Sequence, residues 1–191
     1  MTGPADSPEA VAADANAGDD YAGYDAVVFD LDGTLVDLAV DWDAAAADAV
    51  ELFERAGHDA AGADLWGLLE RADAVDLRSD LEAVLADHET AGAAASARLP
   101  RADHLPLSVP TGVCSLNCEM ACRTALDRHG IADHVRSVVG RDSVATYKPD
   151  PEPLLATFDG LGVAPADGLF VGDSERDAAT AERAGVDFRW A

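Results

Sequence analysis

Two carboxylates near the start of the chain, Asp30 and Asp32, have the residue types and the spacing of a reactive site. They directly follow residues 26–29, a short apolar run that is rich in β-branched side chains and typical of a strand buried on both faces of a parallel sheet. Ligands of open α/β sheets bind at the carboxyl ends of the strands, where these acids would lie. Two such acids repel each other and lose solvation, and a bound cation relieves both effects. The pattern favours a metal-assisted carboxylate site, with a solvated turn as the alternative.

Farther along the chain, the hydroxyl group of Ser115 also lies at the end of a predicted strand. Ser115 ends a predicted strand over residues 107–115 and precedes a predicted helix over residues 117–129. The free N–H groups at a helix N-terminus bind anions, so Ser115 and this helix together form a candidate anion site. A plain helix cap is the alternative interpretation.

Lys148 is the only lysine of the chain, and the other twelve basic residues are arginines. Pro149 follows it and favours an extended conformation at Lys148. The rare choice of lysine suggests a site that needs a compact positive charge, and a solvated lysine is the alternative. Farther on, Asp173 and Asp177 follow a predicted strand over residues 168–171. Their spacing would place both side chains on one face of a helical turn.

An α/β fold is predicted to position these groups, with a parallel five-stranded sheet flanked by helices. Apolar runs predict strands over residues 26–29, 107–115, 135–139, 168–171 and 186–190. Between the first two strands, apolar periodicity predicts three helices over about residues 41–56, 63–74 and 79–98. The first carries Trp42 on its apolar face, and a capping box from Ser79 to Glu82 starts the third. These helices indicate a small helical cap inserted after the first strand.

The charge of the chain excludes some partners. It has 37 acidic against 13 basic residues, and the formal charge of −24 argues against nucleic-acid binding because phosphates would repel it. The acids are spread along the whole chain, as in proteins of a high-salt, halophilic cytoplasm, and an acidic partner-binding protein is the alternative. With no apolar run long enough to cross a membrane and no signal peptide, we expect a soluble cytoplasmic protein. Residues 1–22 have almost no large apolar side chains and are predicted to be a disordered acidic tail.

Three cysteines, Cys114, Cys118 and Cys122, recur every four residues and raise the question of a metal site. The last two fall on an apolar stripe of the predicted helix, and the spacing matches no familiar zinc pattern. We therefore predict that they pack in the core. Three cysteines cannot all pair, which suits a reducing compartment. His88 also lies on an apolar stripe, where a core or boundary histidine is more common than a ligand.

The stretch from Asp30 to Thr34, Asp-x-Asp-Gly-Thr after a hydrophobic strand, resembles the first motif of the haloacid dehalogenase superfamily. Three further motifs of that family follow in the required order. Ser115 matches the second, Lys148 before a proline matches the third, and Gly-Asp-Ser-x-x-Asp over residues 172–177 matches the fourth. Each lies where a strand should end, so the ordered set is specific. The helical insertion resembles that of the phosphoglycolate-phosphatase-like branch.

The resemblance implies a role for each motif position. Asp30 would attack phosphorus as the nucleophile, and Asp32 would serve as acid and base. Ser115 and Lys148 would bind the phosphoryl group. Mg²⁺ would be held by Asp30, Asp173 and the backbone carbonyl of Asp32. The supporting positions would be Gly33, Thr34, Asn117 and Asp177.

The resemblance also implies a Rossmann-like hydrolase core over residues 23–37 and 107–191, with the cap over residues 38–106. The expected activity is that of a Mg²⁺-dependent phosphatase acting on a small soluble phosphomonoester through an aspartyl-phosphate. Arg71 and Arg78 are candidate cap contacts to an anionic leaving group, and solvated helix-face charge is the alternative. For the whole protein, the alternatives are a phosphomutase on the same core, a receiver-type signalling domain, or a non-catalytic binding protein.

Overall fold

The computed structural model describes residues 21–191, so residues 1–20 of the predicted tail lie outside the described part of the chain. The described part begins with a core residue. Tyr21 is buried, and its ring packs edge-on against Phe29 at a centroid distance of 5.8 Å. The packed core therefore includes a residue that the sequence pattern assigned to the tail.

Strands of the described residues lie in two sheets. In chain order they are β1 (Ala26–Phe29), β2 (Val36–Asp37), β3 (Ala97–Arg98), β4 (Thr111–Cys114), β5 (Ser137–Val139), β6 (Gly168–Gly172) and β7 (Asp187–Trp190). Five of them form a parallel sheet in the order β5-β4-β1-β6-β7, which confirms the predicted architecture. Strand β4 is shorter than predicted, because it begins only after Pro110, a residue with no N–H to donate to the ladder.

Helices flank this sheet and also form the insertion. They are α1 (Trp42–Arg55), α2 (Leu65–Ala72), α3 (Arg78–Ala94), α4 (Glu119–Arg128), α5 (Glu152–Leu161) and α6 (Glu175–Ala184). Every residue of the central strand β1 is buried, as expected for an apolar strand that is covered on both faces. Within residues 21–191, none of the helices combines the length and the apolar character needed to cross a bilayer.

Helices α1 to α3, which we call the insertion, lie between β2 and β3 and pack around an apolar cluster of their own. Its buried members are Ala45, Ala49, Phe53, Ala60, Leu68, Leu69, Ala72, Leu77, Leu81 and Leu85. On α1 these residues recur every four positions, which is the spacing of one helical face. The chain leaves and re-enters the main sheet through an antiparallel ribbon, in which Val36 pairs with Arg98 and Asp37 with Ala97.

The predicted start of the third helix is wrong. Helix α3 begins at Arg78, and its N-cap residue Leu77 makes no side-chain capping hydrogen bond. The Glu82 side chain does not close a capping box; it forms ion pairs with Arg78 and with Arg141. The helix also ends at Ala94 rather than near residue 98, because the chain turns there into β3.

The three cysteines are free and buried, so the prediction that they pack in the core is confirmed. Burial raises the pKa of Cys114 to about 12 and also raises the pKa of Cys118 and Cys122. His88 is a boundary residue, as predicted: its Nε2 lies 2.7 Å from Oδ2 of Asp48 and links α3 to α1.

Candidate active site

The predicted site residues meet at the carboxyl edge of the main sheet. Asp30 follows β1, Ser115 follows β4, and Asp173 follows β6, and these three strands are neighbours. Parallel strands bring their carboxyl ends to the same edge, so the side chains converge although they are far apart in sequence. Lys148 reaches the same point from the loop after β5.

The ammonium of Lys148 is buried and makes three hydrogen bonds. Its Nζ donates to Oδ1 of Asp30 at 2.9 Å, to the carbonyl of Cys114 at 3.1 Å, and to Oδ1 of Asp177. Burial alone would lower the pKa of Lys148, but the carboxylates of Asp30 and Asp177 raise it above its usual value. The lysine therefore stays charged and supplies the compact positive charge that the sequence suggested.

Asp30 and Asp32 lie in different surroundings. Asp30 is 7% exposed, and burial raises its pKa to about 7 against the opposing effect of Lys148. Asp32 is half-buried, and its Oδ1 accepts a hydrogen bond from the N–H of Leu38 at 2.8 Å. Burial also raises the pKa of Asp32, although the Leu38 contact opposes the shift. A carboxyl group with a raised pKa is suited to donating a proton.

Gly33 allows the turn after β1 to approach Asp173 closely. Its φ is +79°, and a Cβ at this position would lie 2.1 Å from Oδ2 of Asp173. Only glycine fits, because it has no Cβ and adopts positive φ without strain. Thr34, the next residue, is buried. Within residues 21–191, its hydroxyl is the one buried side-chain polar group that has no hydrogen-bond partner.

Three carboxylates are close enough to surround a cation. One oxygen each from Asp30, Asp173 and Asp177 lies within 4.8 Å of the others. Both oxygens of Asp177 already have partners, namely Lys148 and the backbone and hydroxyl of Ser174. Asp30 and Asp173 therefore remain as the carboxylates best able to bind Mg²⁺, a cation that prefers oxygen ligands. The participation of the Asp32 carbonyl stays a prediction.

The spacing of Asp173 and Asp177 predicted that both would lie on one face of a helix, but only Asp177 is part of the helix. Asp173 precedes α6 and is exposed, whereas Asp177 is fully buried in the first turn of that helix. Ser174 and Asp177 cap α6 reciprocally, and the same Asp177 carboxylate fixes Lys148. Asp177 therefore positions the lysine and the helix.

Ser115 is buried at the start of the loop before α4. Its Oγ donates to Oδ1 of Asn117 at 3.1 Å and accepts from the Asn117 N–H at 3.2 Å. This local turn places Ser115 and Asn117 on the cavity wall, four and two residues before the helix begins. Both side chains can be reached by an anion in the cavity. At the start of α4 the N–H groups of Cys118, Glu119 and Ala121 already donate to Glu89, Asp142 and the sulfur of Cys118, so the candidate anion site rests on the side chains of Ser115 and Asn117.

A cavity of about 530 Å³ opens above these residues, between the sheet edge and the insertion. The insertion contributes a mainly apolar wall of Trp42, Ala46, Leu65, Trp66, Leu69 and Leu85. The sequence pattern had placed Trp42 on a core-facing stripe, but it is 42% exposed and lines the cavity.

The structure does not support Arg71 and Arg78 as the candidate contacts to the leaving group. Neither lines the cavity. Arg71 donates to the carbonyl of Asp59 at 2.7 Å. Arg78 forms an ion pair with Glu82 at 2.9 Å, and its guanidinium lies over the ring of Tyr147.

A buried ion-pair network beside the cavity was not predicted. Arg141 is 3% exposed and pairs with Glu89 and with Glu82 on α3, and it also donates to the carbonyl of Leu116 at 2.8 Å. The second oxygen of Glu89 accepts from the N–H of Cys118 at 2.8 Å. A signal was present in the sequence, because Glu82 and Glu89 are two helical turns apart on one face of α3.

A second contact joins the insertion to the core. The guanidinium of Arg176, in the first turn of α6, lies 3.8 Å from the centroid of the Trp66 ring on α2. Such cation–π contacts stabilise by about 0.5–2 kcal/mol. Since Arg176 lies next to Asp177, this contact connects the insertion to the helix that holds Lys148.

Comparison with known proteins identifies relatives over most of the chain. A family profile described as haloacid dehalogenase-like hydrolase matches residues 106–191. The phosphoglycolate phosphatase of Rhodospirillum rubrum is 36% identical over 184 residues, which cover 84% of this chain and 76% of that protein. The phosphoglycolate phosphatase of Cereibacter sphaeroides is 35% identical over 187 residues, with 85% and 82% covered.

Solved structures share the fold. The crystal structure of CbbY from Rhodobacter sphaeroides in complex with phosphate matches this chain with a TM-score of 0.64 and 18% identity, covering 88% of this chain and 86% of that one. The motif residues, the order of the strands and the relatives that are 35–36% identical all agree. This chain is an enzyme and belongs to the haloacid dehalogenase-like hydrolases.

Proposed function

We propose that this protein is a Mg²⁺-dependent phosphatase that hydrolyses a small phosphomonoester through an aspartyl-phosphate intermediate. The observation that carries the proposal is the position of the Asp30 carboxylate, which lines the cavity 2.9 Å from Lys148 Nζ and beside Asp173. The names of the relatives, which are phosphoglycolate phosphatases, support phosphatase activity.

Asp30 supplies the nucleophile in this mechanism. Its carboxylate attacks phosphorus in line, so that a P–O bond to Asp30 forms while the P–O bond to the leaving alcohol breaks. Asp32 gives its proton to the departing alkoxide. The raised pKa of Asp32 supports this role, because it favours the protonated form that the first step needs.

The second half of the reaction regenerates the carboxylates. A water molecule gives a proton to Asp32 and attacks phosphorus, and the bond between phosphorus and Asp30 breaks. Phosphate then leaves, and Asp32 again carries a proton for the next cycle. Asp32 suits this double role because Leu38, which follows the β2 strand, fixes its carboxylate.

Phosphoryl transfer depends mainly on positioning the substrate and on neutralising the negative charge of the phosphoryl oxygens. Lys148 provides a positive charge, and the side chains of Ser115 and Asn117 provide hydrogen-bond donors on the cavity wall. Mg²⁺, held by Asp30 and Asp173 with the Asp32 carbonyl, would stabilise negative charge on a phosphoryl oxygen.

The insertion acts as a cap in this proposal. Residues 38–106 would close over a core made of residues 23–37 and 107–191, exclude water and limit the substrate to a small molecule. The cavity supports this role, because its walls come from both parts of the chain.

The decisive variant is Asp30→Asn. The amide is a poor nucleophile and a poor metal ligand, so phosphate release from small esters in Mg²⁺ and molar KCl should fall about 10³-fold or more. Asp25→Asn is the matched control, because Asp25 is an exposed aspartate just before the same strand. Asp30→Asn activity within about tenfold of wild type would overturn the covalent mechanism. Steady phosphate release with turnover would also separate an enzyme from a phospho-acceptor domain and from a non-catalytic binding protein.

A further inference from the structure

We propose that the cavity selects a phosphomonoester with an uncharged, apolar leaving group that carries a flat ring, and that it disfavours a carboxylate such as that of glycolate. This proposal rests on the proposed phosphatase function and names the substrate class of the same site. It is carried by the charge, the wall chemistry and the size of the cavity.

Carboxylates outnumber cations among the residues that line the cavity. Five carboxylates belong to its lining: Asp30, Asp32, Asp64, Glu89 and Asp173. Two of them, Asp64 and Glu89, come from the insertion, which faces the leaving group. Glu89 is fully buried and paired with Arg141, so the exposed Asp64 is the insertion carboxylate that a charged leaving group would meet, and their like charges disfavour binding.

Among the described residues, Arg141 is the cation that lines the cavity, and it already forms ion pairs with Glu89 and Glu82. Its guanidinium binds Glu89, Glu82 and the carbonyl of Leu116, and it is 3% exposed. Binding a substrate carboxylate would require breaking these buried pairs, which is strongly unfavourable because it leaves a buried charge alone. Residues 1–20 contain neither lysine nor arginine, so their side chains cannot supply a replacement.

The wall of the cavity that faces the leaving group is apolar and aromatic. Trp42 is 42% exposed, whereas most other large apolar side chains of the insertion are buried in its own cluster. An apolar partner that covered this ring would gain from its burial. Trp66 lies on the same wall with its ring held by Arg176, and Leu65 and Leu69 complete it.

The size of the cavity agrees with its chemistry. A volume of about 530 Å³ lies within the range of sites that enclose ligands of many heavy atoms. A glycolate group would leave most of the apolar wall in contact with water. A ring on a short alkyl arm could reach the tryptophans while its phosphate stays beside Asp30 and Lys148.

The first test compares three esters whose leaving groups are all alkoxides: 2-phenylethyl phosphate, ethyl phosphate and phosphoglycolate. In molar KCl with Mg²⁺, we expect kcat/KM for 2-phenylethyl phosphate to exceed that for phosphoglycolate by roughly 10- to 100-fold, the amount that burial of one ring provides. Two non-hydrolysable analogues give a readout apart from turnover. We expect 3-phenylpropylphosphonate to inhibit at lower concentration than 3-phosphonopropionate.

The second test is the variant Trp42→Ala, with Met120→Ala as the control because Met120 is 63% exposed and outside the cavity lining. Removal of the indole should lower the ratio of kcat/KM for 2-phenylethyl phosphate over ethyl phosphate by about tenfold. The control should leave this ratio unchanged.

The outcomes separate this inference from the function on which it rests. If phosphoglycolate is hydrolysed as well as or better than 2-phenylethyl phosphate, the inference is overturned and the phosphatase proposal stands. An unchanged ratio in Trp42→Ala also overturns the inference. If none of the esters is hydrolysed and neither phosphonate binds, the proposed function itself fails.

Discussion

Lys148 Nζ lies 2.9 Å from Oδ1 of Asp30, although 118 positions separate the two residues in the chain. The ammonium fills a buried space between Asp30, Asp177 and the carbonyl of Cys114. This space explains why a chain that otherwise uses arginine has a lysine at this position, because a planar guanidinium is larger and needs a different arrangement of acceptors.

The variant Lys148→Arg is therefore expected to be disruptive although it keeps the charge. The guanidinium cannot satisfy the same three acceptors without displacing Asp30, so kcat/KM should fall by about 10²-fold or more. Arg55→Lys is the reverse exchange at an exposed position, where the side chain pairs only with Glu51 on the same helix, and it should leave activity unchanged. Steady-state kinetics test both variants, and an active Lys148→Arg enzyme would contradict the proposed fit.

Gly33→Ala should prevent the approach of Asp173 to the metal site. A Cβ would lie 2.1 Å from Oδ2 of Asp173, so the carboxylate must move and Mg²⁺ affinity should fall. Gly57→Ala is the matched control, because its φ is +85° and nothing lies within 4 Å of its Cβ position. Both variants carry the backbone strain of positive φ, roughly 1 kcal/mol, but only Gly33→Ala should need more Mg²⁺ for half-maximal activity. Equal Mg²⁺ requirements would contradict the assignment of Asp173.

Arg141→Met should destabilise the protein, because it leaves the carboxylate of Glu89 buried without its partner. Loss of one partner of a buried ion pair lowers the free energy of unfolding by about 3–5 kcal/mol. Arg123→Met removes an exposed pair with Glu119 on one helix and should lower it by only about 0.5 kcal/mol or less. Urea denaturation measures both changes. Adding Glu89→Gln to Arg141→Met should recover part of the loss, and failure to do so would show that the buried charge is not the cause.

Folding is expected to depend on salt. With a formal charge of −24, self-repulsion destabilises the compact state in dilute buffer, and added ions screen it. The melting temperature should therefore rise between low-salt buffer and molar KCl, with NaCl acting similarly because screening is not specific to one cation. An unchanged melting temperature would contradict the prediction of a high-salt cytoplasm and would leave the proposed chemistry untouched.

The sequence predicted the parts of the fold that depend on local pattern. The apolar run at residues 26–29 becomes the central strand because four successive apolar side chains require burial on both faces. Asp30, Ser115 and Asp173 were found because each directly follows a strand, and parallel strands align their ends. Lys148 lies in the loop after β5 and was found because it is the only lysine of the chain. The two-residue strands β2 and β3 were missed, since two residues show no periodicity.

Charged groups that are buried by tertiary contacts could not be predicted in the same way. Glu89 and Arg141 have the residue types of a solvated surface, and only the packing of α3 against the core brings them together. Trp42 shows the opposite error. The helical periodicity predicted that this side chain would face the protein core, but it lies at the start of α1 and lines the cavity. Periodicity indicates which face is apolar, and it does not indicate whether protein or ligand covers that face.

The central position of β1 has a consequence for the order of folding. Val27 pairs with Thr111 on one side and with Leu169 on the other, so this early strand has no partners until much later parts of the chain have been synthesised. The cluster of the insertion extends only from Ala45 to Leu85 and depends on contacts within that stretch. Contacts between residues close in sequence form fastest. We therefore expect the insertion to fold first on the ribosome, while β1 stays unpaired and depends on protection from aggregation until the second half of the sheet arrives.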